Sequence, residues 1–214
     1  MNVAEAISKI FSLEFYIKTP PEGNVCFAQN EEVRDDFRTF FTLTNLLNYI
    51  HGILASAEYP KLKNELLESK FQQITIPESE QLFWDLVREG EALRIENRAK
   101  AKDQKSISIS FPISGKNRVT REVFELNEEL ENGEPGGVLS ETEIDTGKLW
   151  INEKQYFDKV PKIAWEFQLE TYSPVGEWLL EHKNQELKSG EIFEFQEILV
   201  NIAETAMLRN GREA

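Results

Sequence analysis

The residues best suited to chemistry are cations that bunch together in a chain whose total charge is negative. Between Arg94 and Arg121 stand Arg94, Arg98, Lys100, Lys102, Lys105, Lys116, Arg118 and Arg121, against only Glu96 and Asp103. This stretch carries a formal +6 within a total of −14, which leaves −20 for the remainder. Cations spread over a helix end, the loop after it and a hairpin can neutralise nucleic-acid phosphates while hairpin side chains approach base edges. Arg98, Lys100, Lys102, Lys105, Lys116, Arg118 and Arg121 are therefore the candidate DNA-binding residues. A solvated helix end and an exposed hairpin also carry charge of this kind, so the cluster by itself leaves both readings open.

The opposite feature follows directly. From Glu122 to Asp145, Glu122, Glu125, Glu128, Glu129, Glu131, Glu134, Glu141, Glu143 and Asp145 meet no basic residue. Such a run can mimic phosphates, shield the basic stretch from wrong partners, or simply be a solvated loop; the fixed spacing of an Asp-x-Asp-x-Asp-Gly cation loop is absent. Catalytic patterns are equally poor. His51 and His182 are the only histidines, far apart and each inside an expected helix, and His51 reads as a packing or hydrogen-bonding residue. The chain has no Gly-x-Gly-x-x-Gly, no phosphate-binding Gly-Lys-Ser/Thr loop, no Gly-x-Ser-x-Gly and no His-Glu-x-x-His, so no enzyme is read here and no cofactor or metal is expected.

Composition sets the frame for these residues. The 214 residues are 40% hydrophobic and 29% charged, which fits a globular chain able to build its own core. Cys26 is the only cysteine, so an intrachain disulfide and a paired-cysteine zinc site are ruled out. No apolar run approaches the ~20 residues of a membrane span, and the Met1–Ile10 start, with Glu5 and Lys9, is wrong for a secretory signal. The expected setting is cytoplasmic.

Periodicity then places the elements. Val3, Ile7, Ile10, Phe11 and Phe15 predict a first helix over residues 2–17, with Asn2 as cap. Between Glu32 and Ala57 the apolar residues recur every three or four positions, with Thr42 or Thr44 capping a second helix within the run. Pro60 starts a short helix, Gln73 to Pro77 is extended, and Leu82, Phe83, Leu86, Val87 and Leu93 mark a helix from about Glu78 to Ala101. The period changes at Ile107, Ile109, Phe111 and Ile113, which alternate with polar residues, and Ser114-Gly115-Lys116-Asn117 predicts a hairpin into a strand over residues 118–126. Residues 128–137 read as a loop, with short strands near 137–139 and 148–151. Helices return over Pro161 to Phe167, Pro174 to about Lys183 with Ser173 as cap, and Gly190 to Asn210, closed by Gly211. The expected class is α+β, with a helical N-terminal half, a small antiparallel β-rich middle and a helical C-terminal end. A mainly helical segment over 1–105 and a β-hairpin or small sheet with C-terminal helices over 106–214 can together form one compact domain.

Two stretches carry a resemblance. Tyr49-Ile50-His51-Gly52-Ile53-Leu54-Ala55-Ser56-Ala57-Glu58-Tyr59, continued by Gln73-Ile74-Thr75-Ile76-Pro77 and Leu82-Phe83-Trp84-Asp85-Leu86, is similar to the segment that follows the methyltransferase core in type ISP-like restriction-modification enzymes. Gly147-Lys148-Leu149-Trp150-Ile151-Asn152-Glu153-Lys154-Gln155-Tyr156-Phe157, then Val160-Pro161, Trp165-Glu166-Phe167, Tyr172, Trp178-Leu179 and Ala203-Glu204-Thr205, resembles the end of the same proteins. The order and spacing cover about Phe41 to the C-terminus. Two departures stand out: Glu170-Thr171 replaces a family Gly-Gly, and Ala57 replaces a proline after the serine.

The resemblance implies a C-terminal specificity, or target-recognition, domain serving an adenine-specific DNA methyltransferase. Its partners would be double-stranded DNA and an S-adenosylmethionine-dependent methyltransferase/nuclease, either a partner or the parent chain, with no membrane. The basic stretch falls between the two matched segments, so Lys100, Lys102 and Lys105 would meet phosphates, and Lys116, Arg118 and Arg121 bases or adjacent phosphates. The Asn/Asp-Pro-Pro-Tyr/Phe motif that holds a flipped adenine is missing; Thr19-Pro20-Pro21-Glu22 has the wrong flanks. The alternative is an acidic protein-interaction module that docks on a methyltransferase or inhibits a nuclease. Trp150, Asn152, Tyr156, Trp165, Tyr172 and Trp178 read mainly as packing and turn residues.

Overall fold

The computed structural model describes residues 2–18, 38–69, 71, 74–100, 107–127 and 144–209. Lys102, Lys105, Cys26, the strand expected near 137–139, Gly211 and most of the acidic run lie outside them. Within them the class is α+β, with helices on either side in sequence of a small antiparallel sheet.

The first helix, α1 (Val3–Phe11), is held by a capping box in which Asn2 and Glu5 satisfy each other's backbone N–H groups. It ends earlier than periodicity predicts. Ser12 turns left-handed at φ 57, and Glu14–Tyr16 become β1, paired in parallel with β2 (Phe40–Thr42). The turn lets Leu13 enter the core and sets the Phe15 ring 5.1 Å from Phe41, contacts that a continued helix would forfeit.

Thr42 settles the choice between the two threonines as cap: its hydroxyl accepts from Asn45 N–H while Asn45 returns a bond to Thr42 N–H, starting α2 (Leu43–Ala55). This helix is buried nearly all round, the pattern of a central helix. It packs against α4 (Glu80–Lys100), reached through α3 (Pro60–Glu68), and against α7 (Ser189–Arg209). The α2–α4 crossing depends on two glycines: a Cβ on Gly90 would sit 2.0 Å from the Asn48 carbonyl oxygen, and one on Gly52 2.4 Å from that of Leu86. Both obstacles are backbone, so the helices would have to separate. Gly90→Ala is expected to lower the unfolding free energy by about 2 kcal/mol despite alanine's better helix propensity. Urea denaturation checks this; an unchanged midpoint would refute the close-approach account.

The sheet runs β3 (Val123–Leu126), β4 (Thr146–Trp150), β5 (Tyr156–Pro161), all antiparallel, with an irregularity between Gly147 and Leu149. The expected hairpin does not form. Ser110 bridges Asp158 beside β5, Arg118 and Val119 bridge Glu186 and Lys183, and residues 123–126 pair with β4. The turn chemistry is real but is used differently. Asn117 sits at φ 54, its N–H donates to Gln155 Oε1 at 2.8 Å, and Gln155 Nε2 donates to Ile113 O and Asn117 Oδ1. The chain therefore wraps around one buried amide and leaves in a new direction. Its alternation is still obeyed, since Ile109 enters the core and Phe111 lies 4.7 Å from Phe157.

The C-terminal elements are α5 (Lys162–Trp165), α6 (Pro174–Glu181) and α7. Ser173 caps α6 through Gly176 N–H, with Pro174 at the first helical position. Between α5 and α6, Leu169 and Tyr172 bond to each other across a tight turn whose Glu170 has φ 58. Glycine meets no Cβ penalty there, which accounts physically for the Gly-Gly of the resembling sequences. Buried side chains from both halves, including Ile7, Leu46, Phe83, Leu149, Trp178 and Ile202, form one continuous core.

Candidate nucleic-acid interface

The structure divides the predicted cations into different environments. Arg98, near the end of α4, faces α7: its Nε donates to Glu204 Oε1 at 2.6 Å, Nη1 to Glu197 at 3.0 Å, and Nη2 to Asn201 at 2.7 Å and Glu204 at 3.1 Å. Arg94, one turn earlier and 4% exposed, donates to Glu204, Asn48, Thr205 and the carbonyls of Asn201 and Leu47. Burial pulls the Arg94 pKa below its ordinary value against the opposing pull of Glu204. For Arg98 burial acts the same way, but Glu204 and Glu197 outweigh it and the pKa is raised. The two guanidinium groups thus join α2, α4 and α7 through one carboxylate.

Lys100 is exposed and pairs with Glu96 at 2.7 Å, a surface contact of little energetic weight. Lys116, Arg118 and Arg121 are all exposed, on the segment that leaves the Gln155 turn. Arg118 meets Glu186 at 3.3 Å. The segment's course is fixed by backbone: Val119 N–H donates to Gln185 O, and Thr120 and Arg121 N–H both donate to Ile151 O. This brings in two exposed lysines that sequence reasoning missed. Lys154 stands in the 151–155 turn, and Lys183 bridges Val119. No local sequence signal joins either to residues 116–121. Glu122, Glu153 and Glu186 are exposed on the same segments, so the patch is mixed, with cations in excess.

Aromatic residues beside this patch have structural duties. Asn152 accepts from Lys154 and Gln155 N–H and donates to the Arg118 carbonyl, closing the turn. Trp150 and Tyr156 pack with centroids 4.6 Å apart, Trp150 Nε1 donates to Glu125, and Lys148 lies over the Tyr156 ring. Trp165 stacks on Phe124, while Tyr172 and Trp178 are buried. The histidines lie inside. His182 donates from Nδ1 to the Trp178 carbonyl and stacks on its ring, whereas neither ring nitrogen of His51 has a hydrogen-bond partner among the described residues. Among those residues no group of three His, Cys, Asp or Glu side chains is arranged to hold a metal, and no helix is long and apolar enough to cross a membrane.

The family model described as the Type ISP C-terminal specificity domain matches residues 10–208, nearly the whole chain. The chain belongs to this family. No curated protein and no solved structure gave a significant match. As a Type ISP specificity domain, the chain presents its matched motifs mainly as scaffold: Gly52 at the helix crossing, Asn152 and Gln155 at the turn, and Glu204 and Thr205 on Arg94. The exposed cations of residues 116–121 lie on the surface that this scaffold shapes.

Proposed function

We propose that this chain is the DNA target-recognition module of a restriction-modification system and carries no catalytic motifs of its own. It would bind double-stranded DNA on behalf of an S-adenosylmethionine-dependent methyltransferase/nuclease, as a partner or as part of the same polypeptide. The observation that carries this reading is the specificity-domain match over residues 10–208, and the exposed cations of residues 116–121 in a −14 chain support it. Lys116, Arg118 and Arg121, with Lys154 and Lys183 beside them, approach the duplex, and acidic surfaces elsewhere are repelled by it. Lys100 can exchange Glu96 for a phosphate, with Lys102 and Lys105 following it in sequence. Arg98 commits its donors to Glu197, Asn201 and Glu204, so it supports the fold beneath such a surface.

The test is a DNA titration at ~50 mM and ~200 mM salt, where phosphate contacts give a steep loss of affinity. Replacing Lys116, Arg118 and Arg121 together with alanine should weaken binding by about 100-fold at the lower salt and flatten the log–log salt slope by about 3, if each neutralises one phosphate. Unchanged affinity and slope would remove these residues from the interface. Absence of any binding by the wild-type chain would remove the function.

A further inference from the structure

Helices α4 and α7 both pack on α2 and leave between them an open groove of about 590 Å³. The two most exposed large apolar side chains among the described residues, Ile95 at 62% and Phe193 at 65%, come from opposite walls of this groove, and Phe40 lines it as well. Single exposed apolar residues are ordinary; two that converge from different helices on one groove indicate a surface meant to be covered. The polar groups of the groove define what covers it. Arg94 and Arg98 have committed their donors to Glu204, Glu197 and neighbouring oxygens, and Arg38 lies over the Trp84 ring. The carboxylates of Glu91, Glu194 and Glu197 line the same groove. Over their whole lengths α4 and α7 carry nine carboxylates against five cations. A polyanion is therefore disfavoured here, and a cationic partner with an apolar stripe is favoured.

We propose that this groove receives an amphipathic helix with basic flanks from the methyltransferase/nuclease polypeptide that the domain serves. The proposal rests on the target-recognition reading above and adds the surface by which recognition is coupled to catalysis. Ile95 and Phe193 take the apolar stripe at helical spacing, while Glu91 and its neighbours meet Lys or Arg on the flanks. DNA and catalytic polypeptide then occupy surfaces of opposite charge, so both can be bound at once.

The test mixes the full chain with the methyltransferase/nuclease polypeptide of the same restriction-modification system, expressed separately, and follows the complex by calorimetry and sedimentation. The wild-type chain should form a complex that Ile95→Asp with Phe193→Asp weakens at least about 30-fold, the effect expected of interface anchors. Both side chains are exposed, so circular dichroism and DNA affinity should match wild type. Glu91→Lys provides a second probe and should weaken the complex up to about 5-fold at low salt, less as salt rises. The proposal is overturned if the wild-type chain forms no complex, if the double variant binds as tightly, or if the groove proves to be a self-interface, with wild-type dimers that the double variant abolishes. DNA titration of the same samples reads the recognition function separately: DNA binding with no complex sinks only the groove, and a complex without DNA binding sinks the recognition reading.

Discussion

Glu204→Ala is expected to be among the most destabilising single substitutions in this protein, lowering the unfolding free energy by about 3–5 kcal/mol. The reason is the arithmetic of charge beneath the α4–α7 groove. Glu204 is 8% exposed and accepts from Arg94 at 2.7 Å and from Arg98 at 2.6 and 3.1 Å. Removing it leaves Arg94, 4% exposed, as an uncompensated buried cation, with Arg98 retaining only Glu197 as a charged partner. An ion pair of this kind adds little net stability over an apolar replacement, but breaking it from one side strands the other. Two comparisons sharpen the expectation. Glu96→Ala, which removes the exposed partner of Lys100, should change stability by less than about 0.5 kcal/mol. Arg94→Met combined with Glu204→Leu should recover part of the loss, because it removes the buried charge along with its partner. Urea unfolding of the four proteins decides the matter; equal midpoints for Glu204→Ala and Glu96→Ala would show that the network holds nothing together.

This network also shows what could and could not be read from the sequence. Caps and periodicity are local, so α2 with its Thr42 cap, α6 with Ser173 and Pro174, and the alternation through Ile109 and Phe111 were all legible. The first helix was overextended because its apolar spacing continues past Ser12, while the parallel pairing that diverts the chain lies on residues 40–42. The missing hairpin has the same cause at longer range: a Gly-Lys-Asn turn looks like hairpin chemistry until Gln155, 38 residues after Asn117, takes its hydrogen bonds. Charge was the least legible property. Arg98 and Arg118 are both cations of one basic stretch, yet Arg98 is neutralised by a helix more than 90 residues later, whereas Arg118 is exposed beside lysines that folding alone brings in. Ala203-Glu204-Thr205 stood out only through family resemblance, and its physical duty is to close around Arg94.

Acid should destabilise the folded chain through His51, and by a predictable amount. The imidazole is fully buried on α2, and burial first, then the positive charges of Arg94 and Arg98, lowers its pKa from 6.5 to about 3. The folded state therefore refuses a proton that the unfolded chain accepts below about pH 6.5. The stability that depends on a neutral His51 is complete above that pH and drains away as the pH falls toward 3. At about 1.4 kcal/mol per unit, the loss attributable to this residue between pH 7 and pH 5 is about 2 kcal/mol. Replacing His51 with leucine removes the titration and two ring nitrogens that have no hydrogen-bond partner among the described residues, at similar volume. Urea midpoints of His51→Leu at pH 7 and pH 5 should thus differ by about 2 kcal/mol less than those of the wild type. Parallel losses in the two proteins would mean that acid acts elsewhere. A smaller wild-type loss would mean that His51 accepts its proton in the folded state, so that the interior around α2 is wetter or farther from Arg94 than the geometry places it.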